Sequence, residues 1–139
     1  MWKAIVDAWN GTSDEERQRD PADVYDFDRM KELVKQRDPA VTLVDVREPK
    51  EFEEYRIPGS VNMPFRSHPE GLGLEGTKFQ ETFGFPKPGK QDRLVFFCAS
   101  GRRAAGAEGV ALKNGYNNVA LYPGSVNDWL AKGGDKLQL

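Results

Sequence analysis

Two mostly apolar runs constrain the fold of this 139-residue chain more than any other feature of its sequence. They lie at residues 41–46 and 93–98, and both are rich in β-branched or aromatic side chains. Neither run shows the regular alternation of apolar and polar residues that a half-solvated strand would show, so both predict strands buried on two faces. Such strands occur in parallel sheets covered by helices, and an α/β fold is therefore the expected class.

Shorter segments around these runs complete an alternation of strands and helices. Further strands are predicted at residues 24–27, 60–63 and 118–122, and helices fill the intervals, with Asp28 and Thr77 as caps of two of them. This order predicts a central, mostly parallel sheet of about five strands, with helices on both faces and right-handed crossovers. Ligands of such sheets bind beyond the carboxyl ends of the strands, which is where Cys98 lies.

The first 23 residues differ in pattern from the rest of the chain. Four apolar side chains have the spacing of one helix face: Trp2, Ile5, Val6 and Trp9. We therefore predict an N-terminal helix and polar leader over residues 1–23, and one folded domain over residues 24–139. A helix docked on that domain is favoured over a membrane or partner anchor, because four large apolar residues make a weak anchor.

The chain contains one cysteine, Cys98, and one histidine, His68, which we expect in a solvated loop. One cysteine forms no internal disulfide, and these two residues cannot supply a four-ligand structural zinc site. Twenty Lys+Arg against 22 Asp+Glu give a net charge of −2, which argues against nucleic-acid binding through bulk charge. The sequence shows neither a transmembrane stretch nor a secretory signal, so we expect an intracellular location, cytoplasmic or mitochondrial.

The segment that joins the second long strand to the next helix is formed by Cys98, Ala99, Ser100, Gly101, Arg102 and Arg103. It begins at the predicted end of the strand, continues through a loop of small residues and ends at the predicted start of the helix. Small residues let the backbone curl so that successive N–H groups point inward and bind an anion. The positive end of the following helix and the two arginines add favourable charge at the same place. We therefore interpret Cys98 as a thiolate nucleophile in an anion-binding loop, in preference to a buried and inert cysteine.

Other candidates carry a weaker signal. Asp45 and Arg47 end the first long strand on the ligand side and are candidate supporting residues, although a structural ion pair is the favoured role for them. Arg47 could also pair with Glu51, which follows it at helical spacing. Phe65 and Arg66 follow the short third strand and could line the pocket, but this is the less favoured interpretation.

Four motifs resemble the signatures of the rhodanese family of sulfurtransferases, in family order and at family spacing. They are the loop 98–103, Asp45-Val46-Arg47-Glu48 followed by Glu51-Phe52, Arg56-Ile57-Pro58-Gly59-Ser60-Val61-Asn62, and Tyr122-Pro123-Gly124 with Trp129. The third motif usually begins with histidine, so Arg56 is a departure from the family pattern. The resemblance covers residue 24 to the C-terminus and implies a rhodanese-like fold. Trp129 is expected in the core.

The resemblance also implies a mechanism. Cys98 would attack the outer sulfur of a small anionic donor such as thiosulfate and become a persulfide, with sulfite as the leaving group. Residues 99–103 would bind the donor, with its sulfonate end held by Arg102 or Arg103. A small thiol such as glutathione, or cyanide, would then accept the sulfur. The acceptor must come from outside, because the chain has no second cysteine. Neither a metal nor a cofactor is implied.

Two other classes of function stay open at this point. A cysteine phosphatase or arsenate reductase on the same fold also needs a thiolate and an arginine, but its loop has five residues between them. Here four residues separate Cys98 from Arg103, and a shorter cradle favours a terminal sulfur over a tetrahedral phosphate ester. A non-catalytic regulatory module is the third hypothesis, and the intact cysteine loop argues against it.

Overall fold

A computed structural model describes residues 20–139, and a parallel sheet of four strands forms its centre. The strands are β1 (Val41–Asp45), β2 (Val61–Asn62), β3 (Arg93–Phe97) and β4 (Val119–Leu121). Their order is β2-β1-β3-β4, and every pairing is parallel. The two apolar runs of the sequence form β1 and β3, which pair along their whole length in the middle of the sheet.

Helices cover both faces of the sheet, as the sequence predicts. They are α1 (Phe27–Gln36), α2 (Pro49–Glu54), α3 (Gly76–Phe83), α4 (Arg102–Lys113) and α5 (Ser125–Ala131), with short 3-10 helices at Pro21–Asp23, Gly71–Gly73 and Gly134–Lys136. On one face, α3 and α4 contribute Phe79 and Ala107 to a core cluster. On the other face, α1 and α5 contribute Met30 and Trp129 to a second cluster. Burial of Trp129 confirms its expected place in the core.

The fifth strand expected at residues 24–27 is reduced to a single bridge. Val24 pairs with Leu121 in parallel, and the Tyr25 N–H donates a 2.8 Å hydrogen bond to the Leu121 carbonyl. Asp26 then caps α1 with its side chain, so the chain enters a helix before a ladder can extend. The difference from the prediction is therefore a strand that ends after one residue, at the edge beside β4.

Two helix caps also differ from the prediction. Asp26, not Asp28, caps α1. Glu75, not Thr77, caps α3: its carboxylate accepts hydrogen bonds from the N–H groups of Thr77 and Lys78 at 3.1 and 2.8 Å. Glutamate is outside the group of short polar residues that usually cap helices, which explains why a rule based on that group selects the wrong residue.

Residues 1–19, which contain the predicted amphipathic helix and most of the polar leader, lie outside the described residues. The end of the leader is attached to the sheet, because the Asp23 carboxylate forms a 2.8 Å ion pair with Arg93 at the start of β3. None of the helices within residues 20–139 is long and apolar enough to cross a membrane.

The carboxyl edge of the sheet collects the residues that the sequence singles out. Asp45 at the end of β1 is in register with Phe97 of β3 on one side and with Asn62 of β2 on the other. Cys98 directly follows β3, and Ser125 opens α5 just after β4. Because all four strands run the same way, their following loops meet at this one edge.

Candidate active site

The loop that joins β3 to α4 turns sharply at a glycine. Gly101 has a φ of 102°, in the left-handed region that favours glycine. A Cβ atom at this position would lie 2.5 Å from the Pro123 carbonyl oxygen, so the close approach of the two backbones also excludes a side chain. This turn lets α4 begin only four residues after Cys98.

The sulfur of Cys98 is enclosed by the loop that follows it. Cys98 has no exposed surface, and the Gly101 N–H donates a 3.0 Å hydrogen bond to its Sγ. Four more N–H groups of the loop and first helical turn have no acceptor within residues 20–139: those of Ala99, Ser100, Arg102 and Arg103. Free donors in a curled loop and at the start of a helix form an arrangement that can bind an anion beside the sulfur.

The turn between β4 and α5 supports the cysteine from the neighbouring strand. The Ser125 hydroxyl accepts a hydrogen bond from the Cys98 N–H and donates one to the Tyr122 carbonyl, both at 3.0 Å. The Val126 N–H donates to the Cys98 carbonyl at 3.0 Å. Ser125 is buried and has a φ of 62°, a value that non-glycine residues rarely adopt. No local sequence pattern points to Ser125 as a partner of Cys98, because the two residues lie 27 positions apart.

Arg103 is held by a carboxylate on a different helix. Its Nη1 and Nη2 donate hydrogen bonds to Oε1 and Oε2 of Glu51 at 2.8 and 3.2 Å. The hydrogen bond from Arg103 lowers the pKa of Glu51 to about 2. The pKa of Arg103 is raised, first by its hydrogen bonds to Glu51 and to a smaller extent by Cys98. The pairing of Glu51 with Arg47, which helical spacing allowed, is not found.

Arg102 differs from its neighbour in having no side-chain partner within residues 20–139, and its side chain is exposed. The two arginines of the loop are therefore in different states: Arg103 is bound in two places by Glu51, and Arg102 is available to an anion from solution. Arginine forms paired hydrogen bonds with oxyanions, so Arg102 can bind a sulfonate group.

Asp45 and Arg47 form a buried ion pair with each other. Arg47 donates to Asp45 through Nε at 3.0 and 3.1 Å and through Nη2 at 2.9 Å, and its N–H donates to the same carboxylate at 3.0 Å. Nη2 also donates to the Tyr55 carbonyl just after α2, at 2.6 Å. The Asn62 amide donates to both the Asp45 and the Arg47 carbonyls. These contacts fix α2 against the sheet, in keeping with the structural role favoured from the sequence.

Among the remaining candidates, Phe65 packs against the core cluster that contains Cys98, and none of the three forms a hydrogen bond with the sulfur within residues 20–139. Phe65 packs near Gly106 of α4, where a Cβ would approach its ring to 2.9 Å. Arg66 is exposed. His68 is half-exposed, pairs with Glu70 at 3.3 Å and places its ring edge against another aromatic ring, as a surface histidine would.

The structure has a parallel sheet with a cysteine loop at its carboxyl edge, and this arrangement can be compared with those of known families. The family model described as "Rhodanese-like domain" matches residues 26–132, and the chain belongs to this family. This match confirms the resemblance to the rhodanese family seen in the sequence.

Two curated relatives and one solved structure show which members of the family this chain resembles. The chain is 48% identical over 139 residues to the Saccharomyces cerevisiae protein named thiosulfate:glutathione sulfurtransferase, with complete coverage of both chains. It is 46% identical over 111 residues to the mitochondrial thiosulfate sulfurtransferase RDL2 of the same yeast, covering 80% of this chain and 74% of the relative. The crystal structure of RDL2, a single-domain sulfurtransferase, superimposes with a TM-score of 0.81 at 43% identity, covering 87% of this chain and 98% of that one.

Proposed function

We propose that this chain is a sulfurtransferase that moves the outer sulfur of thiosulfate, through a persulfide on Cys98, to a thiol such as glutathione. The observation that carries the proposal is the set of donors around Sγ: the Gly101 N–H binds it at 3.0 Å, and the N–H groups of Ala99, Ser100, Arg102 and Arg103 have no acceptor within residues 20–139. The names of the relatives, thiosulfate:glutathione sulfurtransferase and thiosulfate sulfurtransferase, support the same donor and acceptor.

The first half-reaction forms the persulfide. The Cys98 thiolate attacks the outer sulfur of thiosulfate, a new S–S bond forms, and the bond to the sulfonate sulfur breaks with its electron pair, so sulfite leaves. Negative charge moves from Sγ to the transferred sulfur and to sulfite. The N–H groups of Gly101 and Arg102 and the Arg102 side chain can stabilise this charge, since donors placed where charge develops lower the barrier most.

The second half-reaction returns the enzyme to its starting state. An external thiolate attacks the terminal sulfur of the persulfide, and the S–S bond to Cys98 breaks with its electron pair. The products are the acceptor persulfide and the Cys98 thiolate, stabilised again by the Gly101 N–H. No second cysteine competes for the sulfur, because the chain has only one. Cyanide can replace the thiol in the same step.

Access to the sulfur requires movement in this mechanism. Cys98 has no exposed surface in the described conformation, whereas Ser100 in the covering loop is exposed. Donor and acceptor must therefore displace part of residues 99–101 or enter as the loop opens.

The same proposal assigns the domain and the compartment. We assign residues 24–139 to the sulfurtransferase domain, and the helix and polar leader predicted over residues 1–23 lie mostly outside the described residues. A cytoplasmic or mitochondrial location fits an enzyme that uses an external thiol, because these compartments keep thiols reduced. The name of one relative places that protein in mitochondria.

A matrix of donors and acceptors tests the proposed function. The protein and its Cys98→Ser variant are each supplied with thiosulfate or mercaptopyruvate, and with glutathione or cyanide, while sulfite and acceptor products are measured. We expect turnover with thiosulfate and glutathione that Cys98→Ser abolishes. An aryl phosphate is included, and its hydrolysis at a rate above thiosulfate turnover would overturn the proposal in favour of a cysteine phosphatase. Equal activity of both proteins would favour a non-catalytic module.

A further inference from the structure

The carboxylate of Glu51 connects α2 to the cysteine loop. Glu51 lies in the first turn of α2, where its Oε1 accepts a 3.0 Å hydrogen bond from the Glu48 N–H. The same oxygen accepts the 2.8 Å hydrogen bond from Arg103, and Oε2 accepts a second one. The side chain is thus held at its own helix and can orient a partner 52 residues away.

The position of α2 is in turn fixed by the buried ion pair. Arg47 binds Asp45 at the end of β1 and the Tyr55 carbonyl just after α2. Both ends of this short helix are therefore attached to the sheet edge. Because α2 cannot shift freely, the direction in which Glu51 presents its carboxylate to Arg103 is set by the fold.

We propose that Glu51 is a positioning residue: by binding Arg103 through two hydrogen bonds, it holds that guanidinium at the end of the cysteine loop and leaves Arg102 as the cation that receives the anionic donor. The proposal rests on the assignment of Cys98 as the nucleophile. Two arginines side by side would otherwise both move towards a dianionic donor. With Arg103 held by Glu51, one positive charge stays with the sulfur and the other with the sulfonate.

Several charged groups around the loop could influence the Cys98 thiolate, so a test of Glu51 must take each of them into account. Arg102 and Arg103 come from α4 and Glu51 from α2, while Asp45 and Arg47 neutralise each other beside β1. On the side of α5, Asp128 is bound to the Tyr122 hydroxyl and to a lysine. Removal of Glu51 has two opposite effects on a thiolate: it removes a nearby negative charge, and it frees Arg103 to leave the sulfur.

Titration of the Cys98 thiolate separates these effects without any need for turnover. The ultraviolet absorbance of the thiolate is followed against pH, with the Cys98→Ser variant as the blank. If Glu51 positions Arg103, Glu51→Ala should move the midpoint upward by about one pH unit, because a cation leaves the sulfur. Glu51→Gln keeps an acceptor for Arg103 and should not move it upward. Glu54→Gln, the same change at an exposed site on α2, serves as the matched control and should change nothing.

A double-mutant cycle shows whether Glu51 acts through Arg103. In the Arg103→Gln background, Glu51→Ala should have no further effect on the midpoint or on kcat with thiosulfate, whereas the single change should lower kcat about tenfold. An equal loss in both backgrounds would assign Glu51 a merely structural role and overturn the proposal. So would a midpoint that is unchanged or lower in Glu51→Ala. If the unaltered protein forms no persulfide, the proposed function fails, while the titration still decides the role of Glu51.

Discussion

Two arginine–carboxylate pairs lie near the carboxyl edge of the sheet, and they differ in burial. Asp45 and Arg47 have side chains that are 0% and 7% exposed, whereas Glu51 and Arg103 are 37% and 17% exposed. Burial raises the pKa of Asp45 against the opposing hydrogen bonds from Arg47. The hydrogen bond from Arg103 instead lowers the pKa of Glu51. Desolvation is thus the main influence on the carboxylate pKa in the first pair, and the hydrogen bond from arginine is the main influence in the second.

This difference separates a structural pair from one that can take part in chemistry. Every hydrogen bond of the Arg47 guanidinium within residues 20–139 is internal: its partners are Asp45 and the Tyr55 carbonyl. Arg103 instead pairs with a partly solvated carboxylate, at the start of the helix that follows the cysteine loop. Loss of a buried pair is costly because the remaining charge stays unpaired in a low dielectric, while an exposed pair is screened by water. The first pair should therefore determine stability and the second one activity.

The largest effect is expected when the buried pair is broken. Asp45→Ala leaves the Arg47 guanidinium without its carboxylate, and we expect the free energy of unfolding to fall by about 3–5 kcal/mol. Urea denaturation measures this change. Glu51→Ala is the matched variant for the exposed pair and should cost less than about 1 kcal/mol. Equal losses of stability in the two variants would break the comparison.

An intermediate effect is expected from the two loop arginines. Arg102→Gln removes the cation assigned to the donor, and KM for thiosulfate should rise about tenfold or more, in line with the loss of a charge-assisted hydrogen bond. Arg103→Gln should act chiefly on kcat, because we assign the Arg103 guanidinium to the stabilisation of charge on the sulfur. Steady-state kinetics at saturating glutathione provide both constants. A reversed pattern, with KM altered by Arg103→Gln, would exchange the roles of the two residues.

The smallest effect is a dependence of stability on pH. The pKa of Glu51 falls from 4.5 to about 2 on folding, so the folded state favours the ionised carboxylate. Its contribution is fully present above about pH 4.5 and is lost as the pH falls towards 2. Solvent screening limits it to less than about 1 kcal/mol. The difference in unfolding free energy between the protein and Glu51→Gln should therefore shrink over this range, and a difference that grows in acid would contradict the assignment.

Local patterns in the sequence were sufficient for the framework of the molecule. The apolar runs became β1 and β3, and the small-residue loop that starts at Cys98 was recognisable because Ala99, Ser100 and Gly101 are adjacent in the chain. Gly101 adopts the positive φ that the sharp turn of this loop requires. The family resemblance rested on such contiguous motifs as well.

Residues that act across the fold could not be found in this way. Ser125 meets Cys98 from the next strand, and Glu51 meets Arg103 from a helix that precedes β3 by many residues. The spacing of Glu51 pointed to Arg47 in its own segment, but that arginine already has Asp45 as a buried partner. Only the three-dimensional structure decides which of two possible partners an arginine selects.

The central claim is that Cys98 carries the transferred sulfur. Mass spectrometry of the intact protein after brief exposure to thiosulfate, without an acceptor, tests it most directly. We expect a gain of one sulfur atom per chain, located on Cys98 by peptide mapping, matched by one equivalent of released sulfite and reversed by glutathione. Cys98→Ser should gain no mass. An unmodified Cys98 after thiosulfate treatment, or the same mass gain in Cys98→Ser, would contradict the account.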